Sequence, residues 1–158
     1  MLVYKDVKNL ELLLTVFAQI PQFSLTLIGQ GPLQSLLEKL KSPNIKLLGH
    51  LPNEKLAQVY SEHDVLVLPS KREPWGLVVE EALYHGLPVI VSDKVGSCYD
   101  LVLSQNVGIS FESNNPMSLG ASILWMCQHF EECIQNIALI DFAKKDEQQI
   151  QQYLEAQA

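Results

Sequence analysis

The sequence lacks the long apolar segments that would indicate a membrane protein. None of its 158 residues belongs to an apolar run close to the roughly 20 residues that a membrane-spanning helix needs. Met1 is not followed by the basic segment, long apolar stretch and small-residue cleavage site of a secretory signal. We therefore expect a cytoplasmic protein without a membrane span.

Cysteine is rare, and basic residues are outnumbered by acidic ones. Cys98, Cys127 and Cys133 are odd in number and lack metal-ligand spacing, so we expect reduced thiols and no metal site. The 11 Lys and Arg residues stand against 18 Asp and Glu residues, which gives a net charge of −7. This charge argues against nucleic acid as a partner, because binding to nucleic acid depends on a basic surface.

The chain does contain enough apolar sequence for one folded domain. Hydrophobic residues make up 47% of it, and a chain of this length buries about 68–70% of its unfolded surface. We expect residues 1–130 to form an α/β domain. Residues 131–158 lose the strand pattern and gain glutamine, so we expect a helical extension of the same domain there.

Short apolar runs alternate with longer amphipathic segments, which indicates a mostly parallel sheet covered by helices on both faces. Nearly continuous apolar runs predict strands, because strands buried on both faces show no alternation. The predicted strands are 23–28, 45–48, 65–68, 88–92 and 108–111, with residues 2–4 as the end of an earlier strand. The predicted helices lie near 8–20, 32–41, 53–63, 76–86, 98–104 and 116–130.

Parallel sheets of this kind place ligands at the carboxyl ends of their strands. In this sequence those ends carry the segments 29–32, 49–52, 69–75 and 92–97. We expect these four loops to converge on one edge of the sheet and to form a site there.

The most informative loop holds two carboxylates, Glu73 and Glu81, eight positions apart. Pro74 and Gly76 lie between them, and a helix that begins near Gly76 would leave the N–H groups of Gly76, Leu77 and Val78 free. A helix start with free N–H groups attracts a phosphate. One acid could then face a group on each side of the phosphate, which is the layout of a sugar–diphosphate–ribose.

The stretch Glu-Pro-Trp-Gly-Leu-Val-Val-Glu-Glu-Ala-Leu at 73–83 resembles the signature of family-four retaining glycosyltransferases, the glycosyl transferases group 1. Further segments resemble the family in the same order along the chain. They are the lysine and helix at 8–14, the Gly-x-Gly-Pro turn in 27–32, the strand and loop at 44–51, and the strand at 86–92. The likeness covers about residues 2–125.

The resemblance implies a role for several residues. Lys8 would contact the donor diphosphate, and Glu73 would lie near the transferred sugar, so these two would carry catalysis. Glu81 would accept hydrogen bonds from the ribose hydroxyls. The backbone N–H groups of the residues after Trp75 would bind the diphosphate, and the loop after the third strand would line the base. Those binding residues are Gly76, Leu77, Val78, Gly49, His50 and Leu51.

The family folds as two Rossmann-like halves, the GT-B architecture, and this chain matches the C-terminal, donor-binding half. The resemblance implies a hexosyltransferase type of glycosyltransferase with a nucleotide-diphosphate sugar as donor, no metal and no other cofactor. A glycan or lipid-linked acceptor would bind through an N-terminal domain, and the full enzyme could touch a membrane peripherally. Met1 stands about where the family usually has a second cation, and the sequence does not match the family's N-terminal half. We therefore expect an excised domain, a truncated reading frame or part of a split enzyme.

Other functions remain open at this point. A non-catalytic nucleotide-sugar-binding module or subunit, acting only with a separate N-terminal partner, fits the same residues. A sugar epimerase of the same two-domain architecture is a further alternative, which the combination of Lys8 with Glu73 and Glu81 disfavours.

Overall fold

The computed structural model describes residues 2–3 and 6–142. Its strands are β1 (Leu2–Val3), β2 (Leu25–Gln30), β3 (Ile45–Gly49), β4 (Leu66–Leu68), β5 (Val89–Ser92) and β6 (Gly108–Phe111). Its α-helices are α1 (Leu10–Phe17), α2 (Gln34–Leu40), α3 (Asn53–Ser61), α4 (Leu77–Tyr84) and α5 (Pro116–Ala138). A 3-10 turn, Asp6–Lys8, precedes α1, and a short π-helix, Cys98–Leu103, precedes β6.

The strands form two three-stranded sheets in the orders β1-β2-β3 and β4-β5-β6. Every pair of neighbouring strands in them is parallel. This confirms the predicted α/β class and its Rossmann-like arrangement of parallel strands and helices. The strand β3, at one end of the order β1-β2-β3, differs from the expectation of burial on both faces, because it exposes Lys46 and Leu48. Tyr4, which we expected to continue β1, lies outside the described residues.

The strand β5 shows why the predicted strands read as continuous apolar runs. Neighbouring side chains of a strand point to opposite faces, and here both faces are buried. Ile90 packs into the core cluster that contains α1, β2 and most of the apolar face of α5. Val89 and Val91 pack into a second cluster with α4 and the π-helix.

The observed elements differ from the predicted ones mainly at their ends. The helix α5 continues to Ala138, beyond the predicted end at residue 130 and across the expected boundary with the extension. Its buried residues Cys133 and Ile137 keep the helical spacing, and they pack into the two core clusters. Burial against the sheet therefore extends this helix, whereas sequence composition suggested a change there. Residues 143–158 of the expected extension lie outside the described residues.

Among the described residues, no helix combines the length and the apolar character needed to cross a bilayer.

Candidate active site

The site begins where the loop after β4 meets the loop after β5. The N–H of Glu73 donates to the carbonyl of Lys94 at 3.0 Å, and the N–H of Gly96 donates to the carbonyl of Glu73 at 2.9 Å. The hydroxyl of Ser97 donates to the carbonyl of Trp75 at 2.6 Å. These hydrogen bonds hold the two loops together, and they fix the position of the Glu73 backbone.

Gly96 allows this close approach because it has no side chain. A Cβ at Gly96 would lie 1.8 Å from the carbonyl oxygen of Pro74, closer than any real contact. The position therefore requires glycine for lack of space, and no local sequence pattern indicates this requirement.

The segment after β1 is joined to the same loop across 65 positions of sequence. The N–H of Lys71 donates to the carbonyl of Val7 at 2.8 Å, and the Lys71 ammonium pairs with Asp6 at 2.8 Å. The Lys8 ammonium donates to the carboxylate oxygen Oε2 of Glu73. Both side chains of this last pair are mostly buried, with 21% and 18% of their surfaces exposed.

Asn9 explains how Lys8 reaches the loop. Its backbone is in the left-handed region, with φ of 55°, and it joins the 3-10 turn to α1. Asparagine tolerates this conformation better than most residues do. The chain therefore turns sharply between Lys8 and the first residue of α1.

The helix α4 begins beside the ion pair without a capping side chain. Gly76 is its N-cap, with φ of 89° and no side-chain hydrogen bond. In the part of the chain that the structure describes, the N–H of Val79 is the first in this helix to donate a hydrogen bond. It donates to the carbonyl of Gly76. The preceding N–H groups, those of Gly76, Leu77 and Val78, are available to a ligand.

Glu73 lies against this helix start. A Cβ built at Gly76 would lie 3.3 Å from Cγ of Glu73, so the stem of Glu73 lies next to the N-cap of α4. The ammonium of Lys8, bound to the end of that stem, is therefore placed near the open N-terminus of α4. The structure thus brings together Lys8, Glu73 and the predicted N–H groups.

Glu81 lies on the same helix, four residues after Leu77 and about 6 Å further along the axis. It is exposed, and its Oε2 accepts a hydrogen bond from the hydroxyl of Tyr60 at 3.1 Å. Burial, followed by the charge of Glu81, raises the pKa of the Tyr60 phenol well above its usual value. Tyr60 therefore stays protonated and remains a donor across the neutral range.

The residues predicted to line a base lie at the end of β3. Gly49 has a positive φ of 68°, Leu51 is half-buried and His50 is exposed. Within the described residues, no hydrogen bond joins this loop or the loop after β2 to the loops that carry Glu73. Hydrogen bonds therefore join the segment after β1 to the loops after β4 and β5. The convergence of all four loops on one edge of the sheet stays a prediction.

Sequence reasoning missed Tyr60, Gly96 and Ser97. Each acts through a partner about twenty positions away, so no local pattern could have revealed it. His85 stacks on the ring of Tyr60, with a distance of 4.9 Å between the ring centroids. The described residues contain no group of three or more His, Cys, Asp or Glu side chains placed to hold a metal ion.

Parallel strands covered by helices place the chain among Rossmann-like α/β proteins, and its sequence then gives the family. The chain belongs to the family Glycosyl transferases group 1, whose profile matches residues 3–136. This confirms the resemblance seen in the signature around Glu73 and Glu81.

Individual proteins are similar to the chain over part of their length. A sulfoquinovosyl transferase of Arabidopsis thaliana is 39% identical over 103 residues, which are 64% of this chain and 20% of that protein. A sucrose-phosphate synthase structure from Thermosynechococcus elongatus gives a TM-score of 0.74 at 26% identity, over 98% of this chain and 44% of that one. The structure of the Anabaena protein HepE in complex with UDP gives a TM-score of 0.80 at 21% identity, over 99% of this chain and 47% of that one. The chain thus spans a fifth to less than half of these proteins.

We predict that Gly96→Ala lowers the free energy of unfolding by more than about 2 kcal/mol, because the new methyl group would force the two loops apart. Gly120→Ala is the matched control, since a Cβ there meets nothing within 4 Å. Gly120 lies in the second turn of α5, and alanine inside a helix is more stable than glycine by roughly 0.5–1 kcal/mol, so this variant should stabilise the protein by about that amount. Urea denaturation of both variants measures the difference, and equal effects would contradict the tight contact.

Proposed function

We propose that this chain is the donor-binding half of a retaining glycosyltransferase that transfers a sugar from a nucleotide-diphosphate sugar to a glycan or lipid-linked acceptor. One observation carries the proposal: Lys8 and Glu73 meet at the uncapped start of α4, and Glu81 follows on the same helix. Membership of the glycosyltransferase family supports a transferase over a non-catalytic binding module.

The diphosphate of the donor would bind at the start of α4. Three N–H groups there point out of the helix, and the helix dipole adds partial positive charge. The ammonium of Lys8 supplies a full charge beside them. When the bond to the sugar breaks, negative charge grows on the diphosphate, and preorganised donors of this kind stabilise it.

The two carboxylates would contact the two parts of the donor that flank the diphosphate. Glu81, further along α4 and exposed, would accept hydrogen bonds from the ribose diol. Glu73, before the helix, would face the sugar and stabilise the positive charge that develops on it. Gly49, His50 and Leu51, at the end of β3, would border the base.

The positive charge at this site comes from the chain itself. Lys8 and the N-terminus of α4 can neutralise a diphosphate, so we propose that donor binding needs no divalent ion and no other cofactor.

We predict that the 158-residue chain binds a nucleoside diphosphate in the presence of EDTA. Calorimetric titration with UDP, GDP and ADP, each with EDTA and with Mg²⁺, measures this. UDP is included because HepE was solved with it. We expect weak binding, because in the family two halves form the cleft and this chain matches one of them. EDTA should leave the affinity unchanged, because Lys8 and the start of α4 supply the positive charge. Binding that required Mg²⁺ would refute the metal-free site.

We predict that Glu81→Gln weakens nucleoside diphosphate binding by a factor of about ten to a hundred, since a hydrogen bond to a charged group is worth about 1.5–3 kcal/mol. Pyrophosphate has no ribose, so its affinity should change little. The same calorimetric titrations compare the ligands. Equal weakening of both would mean that Glu81 organises the loop and does not contact ribose.

We predict that substitutions of Lys8 and of Glu73 affect pyrophosphate binding differently. Lys8→Met should weaken UDP and pyrophosphate alike, because it removes the cation from the phosphate site. Glu73→Ala should leave pyrophosphate affinity equal or higher, because Lys8 is then released from a competing carboxylate.

Lys41→Met is the control for charge, since Lys41 pairs with Glu38 on the exposed surface of α2. It should leave both affinities unchanged. If Glu73→Ala weakened pyrophosphate as strongly as Lys8→Met, the pair would be a structural support and not a phosphate site.

A further inference from the structure

Tyr60 is the one described side chain that hydrogen bonds to Glu81. It lies in the last turn of α3, and its hydroxyl donates to Oε2 of Glu81 at 3.1 Å. Its ring stacks on His85 with a centroid distance of 4.9 Å and an interplanar angle of 14°. Since Glu81 and His85 are four residues apart on α4, a single tyrosine contacts two consecutive turns of that helix.

These contacts fix a side chain that would otherwise move freely. Glu81 is exposed, and an exposed glutamate samples many rotamers, which a ligand must restrict when it binds. The stacked ring of Tyr60 is itself held by His85 and by the core cluster that contains α4. The hydroxyl therefore presents a fixed donor to one oxygen of Glu81 and leaves Oε1 available.

We propose that Tyr60 is a positioning residue for ribose recognition: it holds Oε2 of Glu81 so that Oε1 faces the ribose diol of a nucleoside diphosphate. This inference rests on the proposed function, in which Glu81 binds the ribose. It adds a residue of α3 to a site whose other groups come from α4 and from the loops after β1, β3 and β4.

The test uses Tyr60→Phe, which keeps the ring and its stacking on His85 and removes only the hydroxyl. Tyr84→Phe is the matched control. Tyr84 lies on α4, the helix of Glu81, where it is 70% exposed and contacts His85 and Phe142 with its ring. The probes are UDP, GDP and ADP, their 2′-deoxy counterparts, and pyrophosphate. Melting temperatures of all variants check that folding is unchanged.

We expect Tyr60→Phe to weaken the binding of UDP, GDP and ADP by roughly three- to tenfold, which is the effect of losing one hydrogen bond. Pyrophosphate affinity should stay the same, and the preference for ribose over 2′-deoxyribose should shrink. Tyr84→Phe should change none of these. In the Glu81→Gln background, Tyr60→Phe should add no further loss, because the two residues act as one unit.

Two results would overturn the inference while leaving the proposed function intact. One is an unchanged ribose preference in Tyr60→Phe while Glu81→Gln still weakens the ribonucleotides. The other is an equal loss for ribonucleotides, deoxynucleotides and pyrophosphate, which would make Tyr60 a structural support.

A ligand-free measurement separates failure of the inference from failure of the function. The carboxyl carbon resonance of Glu81, in protein labelled with ¹³C at glutamate, should shift in Tyr60→Phe and stay in place in Tyr84→Phe. A shift without ribonucleotide binding by the wild-type chain would overturn both the donor site and the ribose role. No shift would overturn the positioning contact alone.

Discussion

The arrangement of the site depends on the contact between the segment after β1 and the loop after β4. Lys8 and Glu73 form its centre, and the backbone bond from Lys71 to Val7 holds the two segments in register. A mostly buried ion pair is weak evidence for stability, because the cost of removing two charges from water offsets their attraction. Its importance is positional, because it sets the cation and the first acid of the signature at the start of α4.

The same contact gives the site two opposing electrostatic features. The open start of α4 favours an anion, yet Glu73 brings a negative charge to it, and Lys8 neutralises that charge in the absence of a ligand. A carboxylate next to an anion site weakens anion binding by repulsion, unless a cation neutralises it or it stabilises positive charge on the ligand. In the proposed sugar transfer, which builds positive charge on the sugar, Glu73 would stabilise that charge, and this would give a physical reason for an acid at this position.

Much of the fold could be predicted from sequence because its signals are local. Apolar runs marked the buried strands, and Gly76 marked the start of α4 to within one residue. The length of α5 was underestimated, since its last turns are stabilised by packing that composition does not reveal. The pairing of Lys8 with Glu73, and the contact of Tyr60 with Glu81, depend on distant parts of the chain meeting, which no spacing within a motif can express.

The burial of β5 on both faces also governs how the domain comes apart. Ile90 belongs to one core and its neighbours Val89 and Val91 to the other, while α5 contributes Cys133 to the first and Ile137 to the second. Neither core can lose its packing while β5 stays in place for the other. We therefore expect the two core clusters to unfold as a single cooperative unit, with local opening confined to segments outside β5 and α5.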